Sequence, residues 1–148
     1  MEGEQDTYFI AWTTTPWTLP SNVGLCVNPE ENYVKVQCGN EKYIVAEALY
    51  QSLLGEDAEV LDKKLGKELV GIHYEPLFSF QRDYAQGRDG WRIVADGYVT
   101  LTEGSGIVHI APAFGEDDYR VGQDYELPFL QMSGPVLSDP LDHRLRRL

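Results

Sequence analysis

The sequence predicts a mainly β fold, a closed β-barrel with a few peripheral α-helices. Three observations lead to it: β-branched and apolar residues recur with a period of two, the candidate helices are short, and glycine-containing turns separate the runs. The chain has 148 residues, of which 43% are hydrophobic, enough to bury one core. We therefore expect a single domain over 1–148, with its core at 7–135 and a tail at 136–148.

The predicted strands follow one another along the chain. Gly39-Asn40 is a strong hairpin signal, because both residues tolerate a positive φ angle. Pro16 should end the first strand, since proline removes an amide donor and disfavours helical angles at the residue before it. The predicted strands are 8–15, 22–28, 33–38, 41–46, 91–101 and 105–111.

Two short helices are predicted between the strands. The first covers 46–55, where apolar residues share one face, and it stops at Gly55. The second begins after Gly115 with three acids at 116–118, which complement the positive end of the helix dipole. Glycines and a proline punctuate 66–90, which predicts an excursion between strands.

The charge of the chain limits its partners. There are 12 basic and 24 acidic residues, a net charge of −12. Release of counterions from phosphates drives nucleic-acid binding, so this balance argues against tight autonomous binding of RNA. It still permits contact with one end of an RNA that another domain holds. With no apolar run near the roughly 18 residues of a membrane span and no basic signal-peptide start, we expect a cytoplasmic monomer without a membrane partner.

The tail at 136–148 carries a local concentration of arginine. Its last eight residues read LDHRLRRL, with Arg144, Arg146 and Arg147. The segment is interpreted as foreign to the natural protein, a frayed helix or a small phosphate-binding patch.

The cysteines and histidines do not predict a metal site. Cys26 and Cys38 have eleven residues between them and no neighbouring histidine, so we expect buried, reduced thiols in adjacent strands. The three histidines are His73, His109 and His143, far apart in the sequence and without paired ligands. The spacing motifs of dinucleotide sites, P-loops, serine hydrolases and zinc proteases are also absent from the sequence.

The threonine run between two tryptophans is the first candidate site. Threonine favours strands, so Thr13, Thr14 and Thr15 can serve packing alone. Alternation would send Thr14 to the opposite face from the other two. The break at Pro16 would free backbone groups and hydroxyls to face a ligand, with Trp17 as a wall. Packing and binding both remain open from these residues.

His109 and the acids after it form the second candidate site. His109 interrupts an apolar strand, and a buried histidine needs both ring nitrogens paired, so it is either structural or functional. Gly104 and Gly106 permit a close approach to the backbone. Asp117 and Asp118 can cap the next helix, or one can turn inward toward a cationic group. A strand histidine and a carboxylate nine residues later can converge on one pocket.

Two long motifs together resemble a known family. WTTTPWTLPSN at 12–22 and GSGIVHIAPAFGEDD at 104–118 are similar to the signature segments of the editing domain of isoleucyl-tRNA synthetases, the insertion called connective polypeptide 1. The valyl and leucyl relatives carry Arg, Pro and an acid where this chain has Thr15-Pro16-Trp17. GKELVGIHYEPLF at 66–78 also resembles the family's Gly-Lys-x-Leu and Tyr-x-Pro stretch. The similarity covers roughly 8–130, and the ATP-binding signatures of the synthetic domain are absent.

The resemblance implies an editing hydrolase with the barrel fold of the valyl, isoleucyl and leucyl editing domains. The expected reaction removes valine from mischarged isoleucine tRNA and also acts on valyl-adenylate. The implied partners are the 3′ end of that tRNA, valyl-adenylate and the rest of the synthetase chain. Editing needs no cofactor, and ATP serves only the absent synthetic domain. The alternative is a non-catalytic module that binds the aminoacyl-adenylate or the tRNA acceptor end.

The resemblance also implies residue roles. His109 would bound the side-chain pocket and place the ester near water, and Asp118 would bind the substrate α-ammonium. With Thr14 these are the expected catalytic residues. An aminoacyl ester is already activated, so we expect direct attack by water, with His109 as either base or orienting group. The substrate-binding residues are expected to be Thr13, Thr14, Thr15, Trp17, Thr18, Asn22, Phe114, His109 and Asp118.

Overall fold

The protein is described by a computed structural model that contains two β-sheets. It describes residues 7–11, 13, 16–55, 58–76, 87–101, 104–128 and 144–146, and only the backbone at 16, 17, 114 and 144–146. The strands β1 to β8 are, in chain order, Thr7–Ile10, Gly24–Val27, Asn32–Cys38, Glu41–Ala46, Glu59–Leu65, Arg92–Ala95, Ile107–Ile110 and Arg144–Arg146.

The larger sheet has five strands in the order β5-β3-β4-β1-β8. Strands β3 and β4 form the predicted hairpin, in which Gly39 adopts a φ of 63°. Strand β1 runs parallel to β4, and the short β8 pairs antiparallel with β1. The smaller sheet has the order β6-β2-β7, with β2 parallel to β6 and antiparallel to β7.

The mainly β prediction is confirmed, but the described strands form two open sheets and do not close into a barrel. The first strand ends at Ile10 instead of continuing to residue 15, and a 3₁₀ helix follows at Pro16–Ser21. Because the chain turns there, β1 and β2 fall into different sheets. The strand predicted at 91–101 stops at Ala95, where a turn begins.

Strand β5 was not predicted. Its first five residues are exposed, and its sequence, EVLDKKL, lacks the alternation of apolar and polar residues that marks a half-buried strand. Among the described strands it pairs with β3 alone, at the edge of the larger sheet. Pairing with a neighbour, rather than a pattern of burial, therefore makes this segment a strand.

The helices are short and connect the strands of the two sheets. They are α1 at Tyr50–Leu54, preceded by a 3₁₀ turn at Glu47–Leu49, then α2 at Gly66–Leu69 and α3 at Glu116–Asp124. The three acids occupy the first turn of α3, as predicted. Within the described ranges no helix has the length and apolar character needed to cross a bilayer.

The arginine-rich tail and the cysteines differ from expectation. Residues 144–146 pair with β1 as a strand instead of fraying as a helix. Both thiols are free, as expected. They do not lie in adjacent strands, however, since Cys26 is buried in the smaller sheet and Cys38 is half-buried at the end of β3 in the larger one.

Hydrogen bonds between the two sheets place the start of β7. The buried Tyr33 hydroxyl donates to the Gly106 carbonyl at 2.6 Å, and the Ala46 amide donates to the Ser105 carbonyl at 3.0 Å. A Cβ on Gly106 would lie 2.5 Å from the Cβ of Ala46, so the close approach predicted here is made by the protein's own chain. The loop before β7 is thus tied to the larger sheet, which positions His109 three residues later.

Candidate functional site

The structure joins the two sequence motifs at His109. This side chain lies in β7 and is only 6% exposed. Its Nε2 is 2.9 Å from the Thr18 hydroxyl oxygen, and its Nδ1 is 3.3 Å from Nδ2 of Asn22. Both partners belong to the threonine motif, on or just after the 3₁₀ helix Pro16–Ser21. The prediction that a buried histidine needs both nitrogens paired is met.

The amide of Asn22 assigns the tautomer of His109. The Gly24 carbonyl can only accept a hydrogen bond, and it lies 2.8 Å from Asn22 Nδ2, so that atom is the amide nitrogen. The same NH₂ group faces His109 Nδ1, which must therefore be the unprotonated acceptor. The neutral ring then carries its hydrogen on Nε2 and donates it to the Thr18 hydroxyl.

Burial keeps this ring neutral. Removal from water lowers the pKa of His109 from 6.5 to about 4. The lone pair on Nδ1 already accepts a hydrogen bond, and Nε2 already carries a proton. The ring can therefore donate a hydrogen bond from Nε2, while accepting a proton at Nδ1 would require breaking the bond to Asn22. Whether His109 acts as a base or as an orienting group stays a prediction.

Asp118 holds the strand end next to this histidine. Its Oδ2 accepts the Ala111 amide at 3.0 Å. Burial raises the pKa of this carboxyl, with the nearby Asp117 acting in the same direction and the Ala111 bond opposing it. Ala111 follows His109 by two residues, about 7 Å along an extended chain and on the same face. The carboxylate thus accepts the backbone hydrogen bond through Oδ2, and its other oxygen, Oδ1, takes no part in that bond.

The remaining predicted site residues are placed in part. The 3₁₀ helix Pro16–Ser21 contacts the 3₁₀ turn Pro112–Phe114, which brings the backbones of Trp17 and Phe114 into neighbouring turns. Thr13 is half-buried. Thr14 and Thr15 lie outside the described residues. The roles predicted for these five residues stay predictions.

Two residues at the site were missed from the sequence. The Tyr74 hydroxyl donates to Oδ1 of Asn22, and the Trp91 indole donates to the Asn22 carbonyl at 2.9 Å. Both are buried. Tyr74 could have been found from its place in the Tyr-x-Pro stretch, to which the sequence alone assigned no role. Trp91 could have been found at the start of the strand predicted at 91–101.

The described residues contain no group of three His, Cys, Asp or Glu side chains placed to hold a metal ion. The expectation of editing without a metal or cofactor stays a prediction.

Relatives of known sequence share most of this chain. It is 45% identical over 132 residues to the isoleucine–tRNA ligase of Clostridium novyi and 49% identical over 129 residues to that of Corynebacterium diphtheriae. These alignments cover 89% and 80% of this chain but only 12% of each ligase. The chain thus spans about an eighth of the length of the curated relatives it matches. It matches no protein-family model.

Solved structures share the fold. The crystal structure of GlLeuRS-CP1 superposes with a TM-score of 0.66 at 20% identity, covering 82% of this chain and 45% of that one. The editing domain of the P. falciparum cytosolic leucyl-tRNA synthetase gives 0.62 at 20% identity over 81% of this chain and 47% of that one. The resemblance predicted from the motifs is confirmed: the chain is homologous to a segment of isoleucine–tRNA ligases and has the fold of an aminoacyl-tRNA synthetase editing domain.

Proposed function

We propose that this chain is the hydrolytic editing domain of an isoleucine–tRNA ligase, which removes valine from mischarged isoleucine tRNA and acts on valyl-adenylate. It would work in the cytoplasm, without a cofactor, as part of a synthetase chain whose other domains hold the tRNA. The net charge of −12 fits this division of labour, because it disfavours tight binding of RNA by the segment alone.

The observation that carries the proposal is the buried junction at His109. Two motifs separated by about ninety residues meet there, through Thr18 and Asn22. The Asp118 carboxyl lies at the end of the same strand. A cationic α-ammonium could be held by Asp118, and the reacting ester placed beside Thr18, whose hydroxyl the His109 ring orients.

The need for such a site follows from packing energetics. An apolar pocket that accepts isoleucine gains only about 1–3 kcal/mol of selectivity against a side chain one methylene shorter, a range for which isoleucine–tRNA ligase is itself the standard example. A second site that rejects isoleucine by size and hydrolyses valine supplies the rest. A junction held rigidly by buried hydrogen bonds suits a site that excludes by size.

Selective deacylation tests this proposal. We expect the full chain, at high enzyme concentration, to hydrolyse valyl-tRNA faster than isoleucyl-tRNA, both made on isoleucine tRNA. Equal rates for the two esters would contradict it. Calorimetry with a non-hydrolysable valyl-adenosine analogue addresses the alternative, because binding without cleavage would identify a non-catalytic binding module.

Neutralising Asp118 should weaken this reaction. Asp118→Asn keeps an oxygen for the Ala111 amide but removes the charge that would pair with the α-ammonium, so we expect kcat/KM for valyl-tRNA to fall about tenfold. Asp117→Asn is the matched control, since it removes the same charge from an exposed carboxylate on the same turn. Similar losses in both variants would indicate general electrostatics instead of a specific contact.

A further inference from the structure

We infer that Tyr74 is a positioning residue of the proposed editing site: its hydroxyl holds the Asn22 amide in the orientation that keeps His109 as the Nε2–H donor. Nothing in the family resemblance gave this tyrosine a role. The inference concerns the same site and rests on the proposed function for its kinetic part alone.

The contacts form one buried chain from Tyr74 to Thr18. The Tyr74 hydroxyl donates to Asn22 Oδ1, and Asn22 Nδ2 donates to His109 Nδ1. The ring then donates from Nε2 to the Thr18 hydroxyl. Tyr74 and Asn22 are each 0% exposed, so water does not replace these partners from outside. Loss of the Tyr74 hydrogen bond is therefore expected to alter the hydrogen bond between His109 and Thr18 at the other end of this series.

Each end of the Asn22 amide has a different partner in this orientation. Nδ2 requires acceptors and finds them in the Gly24 carbonyl and in His109 Nδ1. Oδ1 requires a donor and receives one from Tyr74. Loss of the Tyr74 hydroxyl removes a donor from this buried acceptor, which loosens the amide. The 3.3 Å contact to His109 is the longest of the three and the first that such a movement would weaken.

Tyr74 is itself held by the backbone. Its amide donates to the Trp91 carbonyl at 2.9 Å, and the Trp91 amide donates to the Val23 carbonyl at 2.6 Å. The Trp91 indole also holds the Asn22 carbonyl. The tyrosine therefore approaches Asn22 from a segment that is fixed to the backbone carbonyls of that asparagine and of Val23, the residue after it. This is the arrangement expected of a support that sets geometry without touching substrate.

The test combines histidine ¹⁵N NMR at neutral pH with deacylation kinetics on the full chain. Wild-type His109 should show a protonated Nε2 and a hydrogen-bonded, unprotonated Nδ1. In Tyr74→Phe, which keeps the buried ring, we expect the Nδ1 resonance to shift toward that of an unbonded nitrogen. We also expect kcat for valyl-tRNA to fall about fivefold, with KM changed less than about twofold.

Tyr98→Phe is the matched control. Within the described part of the chain the Tyr98 hydroxyl is buried and has no hydrogen-bond partner, so its removal should change neither the His109 resonances nor kcat. Two results would overturn the inference: a wild-type His109 protonated on Nδ1, or unchanged His109 resonances and kcat in a folded Tyr74→Phe. The first needs no variant, so a failure of Tyr74→Phe to fold leaves the inference testable. The expected NMR shifts in a chain that hydrolyses no ester would support the Tyr74 role and overturn the proposed function.

Discussion

Replacing Gly66 with alanine should destabilise the fold by about 3 kcal/mol, although the residue lies outside the two signature motifs at 12–22 and 104–118. A Cβ at this position would lie 2.0 Å from the Asn28 carbonyl oxygen and 2.8 Å from its carbon. These are backbone atoms, which cannot rotate away as a side chain can. The Gly66 amide also donates to the Glu31 carbonyl at 2.8 Å, so the clash cannot be relieved without losing that bond.

Urea unfolding of the two alanine variants Gly66→Ala and Gly97→Ala measures this effect. Gly97 has no heavy atom within 4 Å of an added Cβ, so its variant should stay within about 0.5 kcal/mol of the wild type. Equal stabilities for the two variants would show that the contact between Gly66 and Asn28 yields easily.

Acid should destabilise the protein through protonation of His109. The pKa of this ring is 6.5 in its ordinary state and about 4 in the fold, because burial disfavours the charged form. Between these values the unfolded chain binds a proton that the folded chain does not. The stability is therefore complete above pH 6.5 and decreases as the pH falls toward 4, by roughly 3 kcal/mol in total.

The titration of two carboxylates, Asp118 and Asp96, also changes the stability with pH and must be distinguished from that of His109. Burial raises the pKa of Asp118, so its contribution has the opposite sign and is lost as the pH rises. The Arg120 guanidinium lowers the pKa of Asp96 below 3.8, and that contribution is lost only below the window of His109. The difference in unfolding free energy between wild type and His109→Gln, followed against pH, isolates the ring. A difference that stays constant from pH 6.5 to 4 would contradict a buried neutral histidine, and an NMR titration of the ring checks the same point directly.

The elements that could be predicted are those whose own residues carry a local turn or helix-start signal. The hairpin at Gly39 was predictable because its turn requires a positive φ. Helix α3 was predictable because its acids and the preceding glycine mark a helix start. Strand β5 was not, since its exposed face has no burial pattern to read. The closed barrel was predicted from period-two runs separated by turns and from the family resemblance, but the separation into two sheets depends on pairing partners that alternation does not specify.

The sequence by itself determined the mainly β class, the pairing needs of a buried His109 and, through two long motifs, the family. Only the tertiary structure decided which atoms meet those needs. Asn22 and Thr18 reach the ring across about ninety residues, and Tyr74 reaches Asn22 across about fifty. The physical reason is that a strand pattern specifies which face is buried but not which distant segment covers it. The direction of each hydrogen bond, and with it the tautomer of His109, follows from the segments that pack over the ring.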